Sequence, residues 1–157
     1  HWLLSMTGGN PAFLKAMATN ALDVSPPLGK IRDFVTDDDA RHPGTIDLKK
    51  SGARLFVDGA RILALRIGVE SSSTVQRLRQ ASAKMGISPE EVSAIVDGFN
   101  FIQLLRLRSQ HLESEHDSDG DNRINPESLN ELDRRILKEA FRQARKLQLR
   151  LKLDYQL

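Results

Sequence analysis

The fold of this chain is decided by one stretch, Gly44 to Leu65, which reads GTIDLKKSGARLFVDGARILAL. A polar segment containing Asp47 and Lys49 leads into a segment that is apolar on nearly every side. Because the apolar residues continue for one further turn, the pattern predicts a helix from Ala53 to Val69. A helix that is hydrophobic all round is normally buried, so we expect this helix at the centre of the core.

Two charged residues, Asp58 and Arg61, lie within this apolar segment. They are three residues apart, so they can pair on one face of a helix. Charges are rarely buried without a partner or a function. One interpretation is an ion pair that only fixes helix packing, and the other is that the two residues belong to a binding site.

The functional interpretation extends to charged residues outside the helix. The loop that carries Asp47 and Lys49 directly precedes the helix that carries Asp58 and Arg61, so a short fold-back brings the four together. Several cations beside few anions would suit a phosphate or carboxylate ligand. The candidate substrate-binding residues are Asp47, Lys49, Asp58 and Arg61, with Arg77, Arg106 and Arg108 as neighbours.

Length and composition indicate one globular domain over residues 1–157. The chain is 39% hydrophobic and 28% charged, and it has one Trp and one Tyr. Few aromatics and many Leu, Ala, Arg and Glu residues favour helix over sheet. Because the chain begins with His1 rather than Met, we expect it to be a fragment of a larger protein.

Charge and cysteine content exclude several classes of protein. The formal net charge is only +2, so a nucleic-acid partner is not expected. The chain has no cysteine, which excludes disulfides and thiolate metal sites and fits a reducing compartment. No apolar run is long enough to span a bilayer, and none has the order of a signal peptide. We therefore expect a cytoplasmic protein with no membrane partner.

Capping signals predict the helix boundaries. Asn10 followed by a proline opens a first helix, and Ser71 to Thr74 opens another that ends at Gly86. Capping boxes that begin at Ser88 and Ser128 each precede an apolar pattern of about 25 residues. A short element is expected at residues 30–35. Since no segment alternates with period two, we predict an all-α bundle of five to six helices, with the two long C-terminal helices antiparallel across residues 113–127.

The segment between the two long helices resembles a calcium-binding EF-hand loop. Asp117, Asp119 and Asp121 occupy positions 1, 3 and 5 of such a loop. Position 12, however, is Ser128, which cannot supply the bidentate carboxylate that calcium requires and which the pattern assigns to the helix cap. An acidic, solvated loop is therefore the preferred interpretation, and a weak metal site is the alternative.

Several blocks of sequence occur in a characteristic order. They are PPLG at 26–29, HPGTIDLK at 42–49, VDGAR at 57–61, TVQRL at 74–78, LRLRSQ at 105–110, DNRINP at 121–126 and DRRILKEAF at 133–141. In order and spacing, over residues 10–155, they resemble one bacterial family, the C-terminal substrate-binding domain of predicted nucleotidyltransferases.

This resemblance implies a non-catalytic helical module that packs on a polymerase-β-like catalytic domain and helps to hold its acceptor, a protein or a small molecule. In that family the module follows cyclic-nucleotide-binding and CBS domains of signalling proteins. Magnesium and a nucleoside triphosphate belong to the parent enzyme, and no cofactor is expected in this chain. The other function considered is a stand-alone interaction module or an EF-hand-like calcium-binding module.

Overall fold

The central element of the fold is the helix predicted from the apolar segment, which spans Arg54–Ile67. Eight of its 14 residues are buried, whereas eight of 24 are buried in the last helix, Glu131–Asp154. It packs against the first helix, the following helix and the last helix. The prediction that this helix is the most buried one is confirmed.

The computed structural model describes residues 10–29, 34–37, 40–113 and 122–157, with only the backbone described at 111–113. Five α-helices lie in these ranges, which agrees with the predicted all-α bundle. They are α1 (Pro11–Ala21), α2 (Arg54–Ile67), α3 (Thr74–Lys84), α4 (Pro89–Glu113) and α5 (Glu131–Asp154). A π-helical turn, Lys49–Ala53, leads into α2, and a 3-10 turn, Pro126–Ser128, precedes α5.

Side-chain caps fix the starts of three helices where the sequence predicted them. Asn10 Oδ1 accepts a hydrogen bond from the Phe13 N–H (3.1 Å) at the start of α1. Ser73 and Ser88 accept corresponding bonds at the starts of α3 and α4. Each cap satisfies a backbone donor that the first helical turn leaves without a partner.

The two long helices, α4 and α5, lie antiparallel, as predicted. Arg108 near the end of α4 pairs with Asp133 near the start of α5, at 3.2 Å between Nη1 and Oδ2. Nearer the middle of both helices, Gly98 packs against Ala140. With 25 and 24 residues, each helix is roughly 36 Å long.

Aromatic pairs join the helices inside the core. The ring of Phe56 on α2 lies 5.7 Å from that of Phe99 on α4, and Phe34 meets Phe141 of α5 edge-on at 6.1 Å. Phe56 and Phe141 are fully buried. Such pairs contribute about 0.5–1.5 kcal/mol beyond the burial of their area, and here they fix α2 and α5 relative to their neighbours.

A two-stranded antiparallel sheet, which the sequence analysis did not predict, closes one end of the bundle. Strand β1 (Ile46–Asp47) pairs with β2 (Arg123–Ile124), so that Ile46 faces Ile124 and Asp47 faces Arg123. Asp37 adds a bridge to Thr45, and its carboxylate pairs with Arg123 at 2.8 Å. The sheet joins the segment before α2 to the segment before α5.

One local prediction was wrong, and another lies mostly outside the described residues. The cap of α5 is Asn130, whose Oδ1 accepts from the Asp133 N–H (2.7 Å). The Ser128 hydroxyl instead donates to the Asn125 carbonyl (2.7 Å) within the 3-10 turn. Phe34 and Val35 are not helical, and residues 30–33 of the predicted short element lie outside the described residues.

No helix in the described part of the chain is both long enough and apolar enough to cross a membrane.

Candidate functional site

One side of α2 is exposed and charged, although the rest of the helix is buried. Arg54, Asp58 and Arg61 stand at i, i+4 and i+7, so they lie on the same side of the helix. Lys49 and Lys50 are exposed on the π-helical turn just before it. We call these five residues the charged stripe. With four cations and one carboxylate, the stripe has a net positive charge.

The turn that carries the two lysines is held by Asp47. Its Oδ1 accepts hydrogen bonds from the backbone N–H groups of Lys49 (3.0 Å) and Lys50 (2.9 Å). The Ala53 N–H donates to the Leu48 carbonyl (2.9 Å), which is the i to i+5 bond of a π turn. Short π-helical segments are frequently found at functional sites. Asp47 therefore positions the lysines through the backbone.

Within the stripe, Asp58 pairs with Arg54 rather than with Arg61. The Arg54 Nε lies 3.5 Å from Asp58 Oδ2, and the two side chains are 63% and 27% exposed. Arg61 is exposed and makes no ion pair with a residue that the structure describes. The expected Asp58–Arg61 pair is thus not formed, and the premise that Arg61 is buried is wrong. Arg61 lies, together with Arg54 and Asp58, on the side of α2 that faces solvent.

Arg106 lies at the end of the bundle where the stripe begins. Its Nε donates to Asn122 Oδ1 (2.8 Å), and its Nη1 donates to Gln103 Oε1 (2.7 Å). The Asn122 carbonyl in turn accepts from the Leu48 N–H (2.7 Å), next to Asp47. Arg106 therefore holds Asn122, which in turn holds the backbone at Leu48, next to the start of the charged stripe.

The other two candidate arginines have structural partners. Arg108 forms its ion pair with Asp133 at the start of α5. Arg77 Nε donates to the Ser71 carbonyl (2.6 Å) in the α2–α3 connection. Since α2 is roughly 21 Å long, that connection is far from the lysines at its other end. The structure therefore does not bring Arg77 together with Asp47 and Lys49.

Sequence reasoning missed Lys50 and Arg54 as members of the stripe. A signal was present, because Arg54 and Asp58 have the i, i+4 spacing of a helical ion pair. It also missed the ion pair of Asp37 with Arg123. That pair depends on the two-stranded sheet, which no local sequence pattern indicates.

The described residues do not supply a metal centre. Among them, no three His, Cys, Asp or Glu side chains come close enough to hold a metal ion. Asp117, Asp119 and Asp121 of the candidate calcium loop lie outside the described residues.

The geometry defines an all-helical module with an exposed cationic stripe suited to an anionic partner. The chain matches the family model described as "Putative nucleotidyltransferase substrate binding domain" over residues 11–155. Because this match covers nearly the whole sequence, the chain belongs to that family. Comparisons with curated proteins and with solved structures found no match. The family name associates such domains with nucleotidyltransferases, in agreement with the resemblance seen in the sequence.

Proposed function

We propose that this chain is the non-catalytic substrate-binding module of a signalling nucleotidyltransferase, and that its charged stripe contacts the anionic part of the substrate. The catalytic domain, of the polymerase-β type, is a separate part of the parent protein and packs on this module. It supplies the magnesium site and the groups that transfer the nucleotide. The acceptor that the module helps to hold is a protein or a small molecule, and the anionic substrate group that the stripe contacts is the triphosphate of the nucleotide.

The observation that carries this proposal is the composition of the stripe. Lys49, Lys50 and Arg61 are exposed and make no ion pair with any residue the structure describes. The single carboxylate, Asp58, is already engaged by Arg54. Exposed cations without protein carboxylates are suited to phosphate or carboxylate groups of a ligand, since charged hydrogen bonds are the strong ones.

The position of the stripe also supports the proposal. Three of its residues lie on α2, which packs against three of the other four described helices, and Asp47 holds the turn that carries the two lysines. A backbone that is already fixed loses little freedom when a ligand binds, which favours affinity.

In the same proposal, the parent is a bacterial cytoplasmic protein that also carries CBS and cyclic-nucleotide-binding domains. The family resemblance supports this organisation, and the absence of cysteine agrees with a reducing compartment.

The test is the affinity of the full-length parent for the nucleoside triphosphate that it binds most tightly in the presence of magnesium, measured by calorimetry. Arg61→Glu should weaken binding roughly tenfold, because it removes an attraction and adds a repulsion. Arg79→Glu is the matched control, since Arg79 is exposed on the neighbouring helix α3 and lies outside the stripe. Equal affinities in the two variants would contradict the proposal.

A further inference from the structure

A cavity of about 300 Å³ opens on the other side of α2 from the charged stripe. Leu63, which lines it, follows Arg61 by two residues and so points roughly 200° away around the helix. The remaining walls come from α3, α4, α5 and the α3–α4 connection. Five of its apolar lining residues are Leu63, Leu78, Ile87, Ile95 and Leu147, and we call this cavity the apolar cleft. Its volume is at the lower end of the range for small-molecule sites.

The mouth of the cleft is apolar as well. Leu149 and Leu153, on the last turns of α5, line it and are 53% and 69% exposed. These two leucines extend the apolar lining of the cleft to the protein surface.

One cation that borders the cleft forms no ion pair in the described part of the chain. Lys146 and Arg150 both line the cleft from α5, and Arg150 Nε lies 3.6 Å from Asp154 Oδ1. Lys146 is exposed and makes no ion pair with any residue in the described ranges, although it attracts the Glu139 carboxylate at longer range. Glu91 lines the cleft from α4. An anionic group placed beside Lys146 would therefore meet an ammonium group that forms no ion pair with a described carboxylate.

A buried amide in the lining is only half satisfied. Gln143 is 4% exposed, and its Nε2 donates to Glu139 Oε1 (2.8 Å). This hydrogen bond is the largest cause of the lowered pKa of Glu139. Because an ionised carboxylate can only accept, the amide nitrogen of Gln143 faces Glu139. Gln143 Oε1 has no hydrogen-bond partner among the described residues. A buried acceptor without a donor is costly, but this atom is closed to solvent and is not reached by a ligand in the cleft.

We infer that the apolar cleft binds a small amphiphilic anion, with its apolar body between α3, α4 and α5 and its carboxylate or phosphate beside Lys146. This site is separate from the charged stripe, and it does not depend on the proposed function. It gives the module a second ligand-binding position on the opposite side of the same central helix.

Calorimetry on the 157-residue chain tests this inference with three probes of equal chain length: octanoate, octan-1-ol and octylammonium. Octanoate should bind at one site and more tightly than either of the others, since only it combines the apolar body with a negative charge. Lys146→Glu should weaken octanoate binding roughly fivefold, the effect of exchanging an exposed attraction for a repulsion. Lys152→Glu makes the same charge change on the same helix outside the cleft and should leave the affinity unaltered.

A second variant tests the apolar part. Leu149→Glu places a carboxylate in the mouth of the cleft at an exposed position, so it should abolish octanoate binding while leaving the melting temperature nearly unchanged. Equal binding of octanoate and octylammonium, or no saturable binding of any probe, would overturn the inference. Arg61→Glu should not alter octanoate binding. The proposal for the charged stripe and the proposal for the apolar cleft can therefore be refuted independently.

Discussion

A β-carbon placed on Gly98 of α4 would lie 3.1 Å from the Cα of Ala140 on α5. The two long helices therefore approach each other so closely that a methyl group at this point would require the neighbouring backbone to shift by a few tenths of an ångström. The nearest atom belongs to the backbone of a packed helix and cannot rotate away, unlike the Leu147 side chain that faces Gly59. Gly98 thus fixes the spacing of the α4–α5 pair.

Gly98→Ala is accordingly expected to destabilise the fold. Overpacking costs about 1–3 kcal/mol, and the better helix propensity of alanine returns at most about 1 kcal/mol of that. Urea denaturation should show a net loss of free energy of unfolding. Ser93→Ala, at an exposed position of the same helix, is the control and should be neutral or stabilising. A Gly98→Ala variant as stable as the wild type would mean that the two helices separate readily.

Arg61→Ala should change stability little. Removing one member of a buried ion pair costs about 3–5 kcal/mol, but Arg61 is exposed and unpaired within the described chain. The expected change is within about 0.5 kcal/mol, as for other surface substitutions. Ile62→Ala, at the adjacent and fully buried position, should cost about 2–5 kcal/mol in the same experiment. If the two variants lost similar amounts of free energy of unfolding, Arg61 would be a residue that holds the fold together rather than a binding residue.

Tyr155 makes the free energy of unfolding depend on pH in the alkaline range. Burial raises the pKa of Tyr155, an effect that Arg66 partly opposes and Asp154 reinforces. The unfolded chain loses the phenolic proton first, near pH 10, so the contribution of Tyr155 is complete below about pH 10. It is then lost as pH rises through the higher folded-state pKa.

Tyr155→Phe should remove this alkaline loss. The Tyr155 hydroxyl is buried and has no hydrogen-bond partner among the described residues, so its deletion should be neutral or stabilising by up to about 1 kcal/mol at neutral pH. Urea denaturation of both proteins across the alkaline range is the measurement. Since Tyr155 is the only tyrosine in the sequence, any difference in slope belongs to it. Parallel curves would show that the hydroxyl is solvated in the folded state.

The acidic segment between α4 and α5 should not bind calcium tightly. Ser128 cannot provide the bidentate ligand of position 12, and its hydroxyl is engaged with the Asn125 carbonyl. Asn122, at position 6, is held by Arg106 and Leu48. Calorimetry should detect no micromolar binding. A micromolar dissociation constant that disappears in Asp117→Ala would show that the loop is a metal site.

Local signals made the helices predictable. The caps Asn10, Ser73 and Ser88 act within three residues, so the sequence alone is enough to locate them. The prediction at Ser128 was wrong because residues 126–128 form a 3-10 turn that begins after Asn125. In this turn the Ser128 hydroxyl donates to the Asn125 carbonyl and does not cap α5. Leu129 is then extended, and Asn130 becomes the cap.

The sheet and the charged stripe depend on contacts that no local pattern contains. Each strand has two residues, and Asp47 pairs with Arg123 across a long separation in sequence. Apolar residues on nearly every side suggested that α2 was buried throughout. The solvent-exposed side became visible only in the packed bundle, where Arg54 and Arg61 face outwards.

We propose that this module increases the affinity of a separate catalytic domain for its nucleotide substrate. The most direct measurement is the affinity of the isolated catalytic domain of the parent protein for its preferred nucleoside triphosphate, with magnesium, as the 157-residue chain is added. The affinity should rise saturably with the wild-type chain and with Arg79→Glu, but not with Arg61→Glu. An affinity that is the same with and without the wild-type chain would show that the module does not contribute to nucleotide binding.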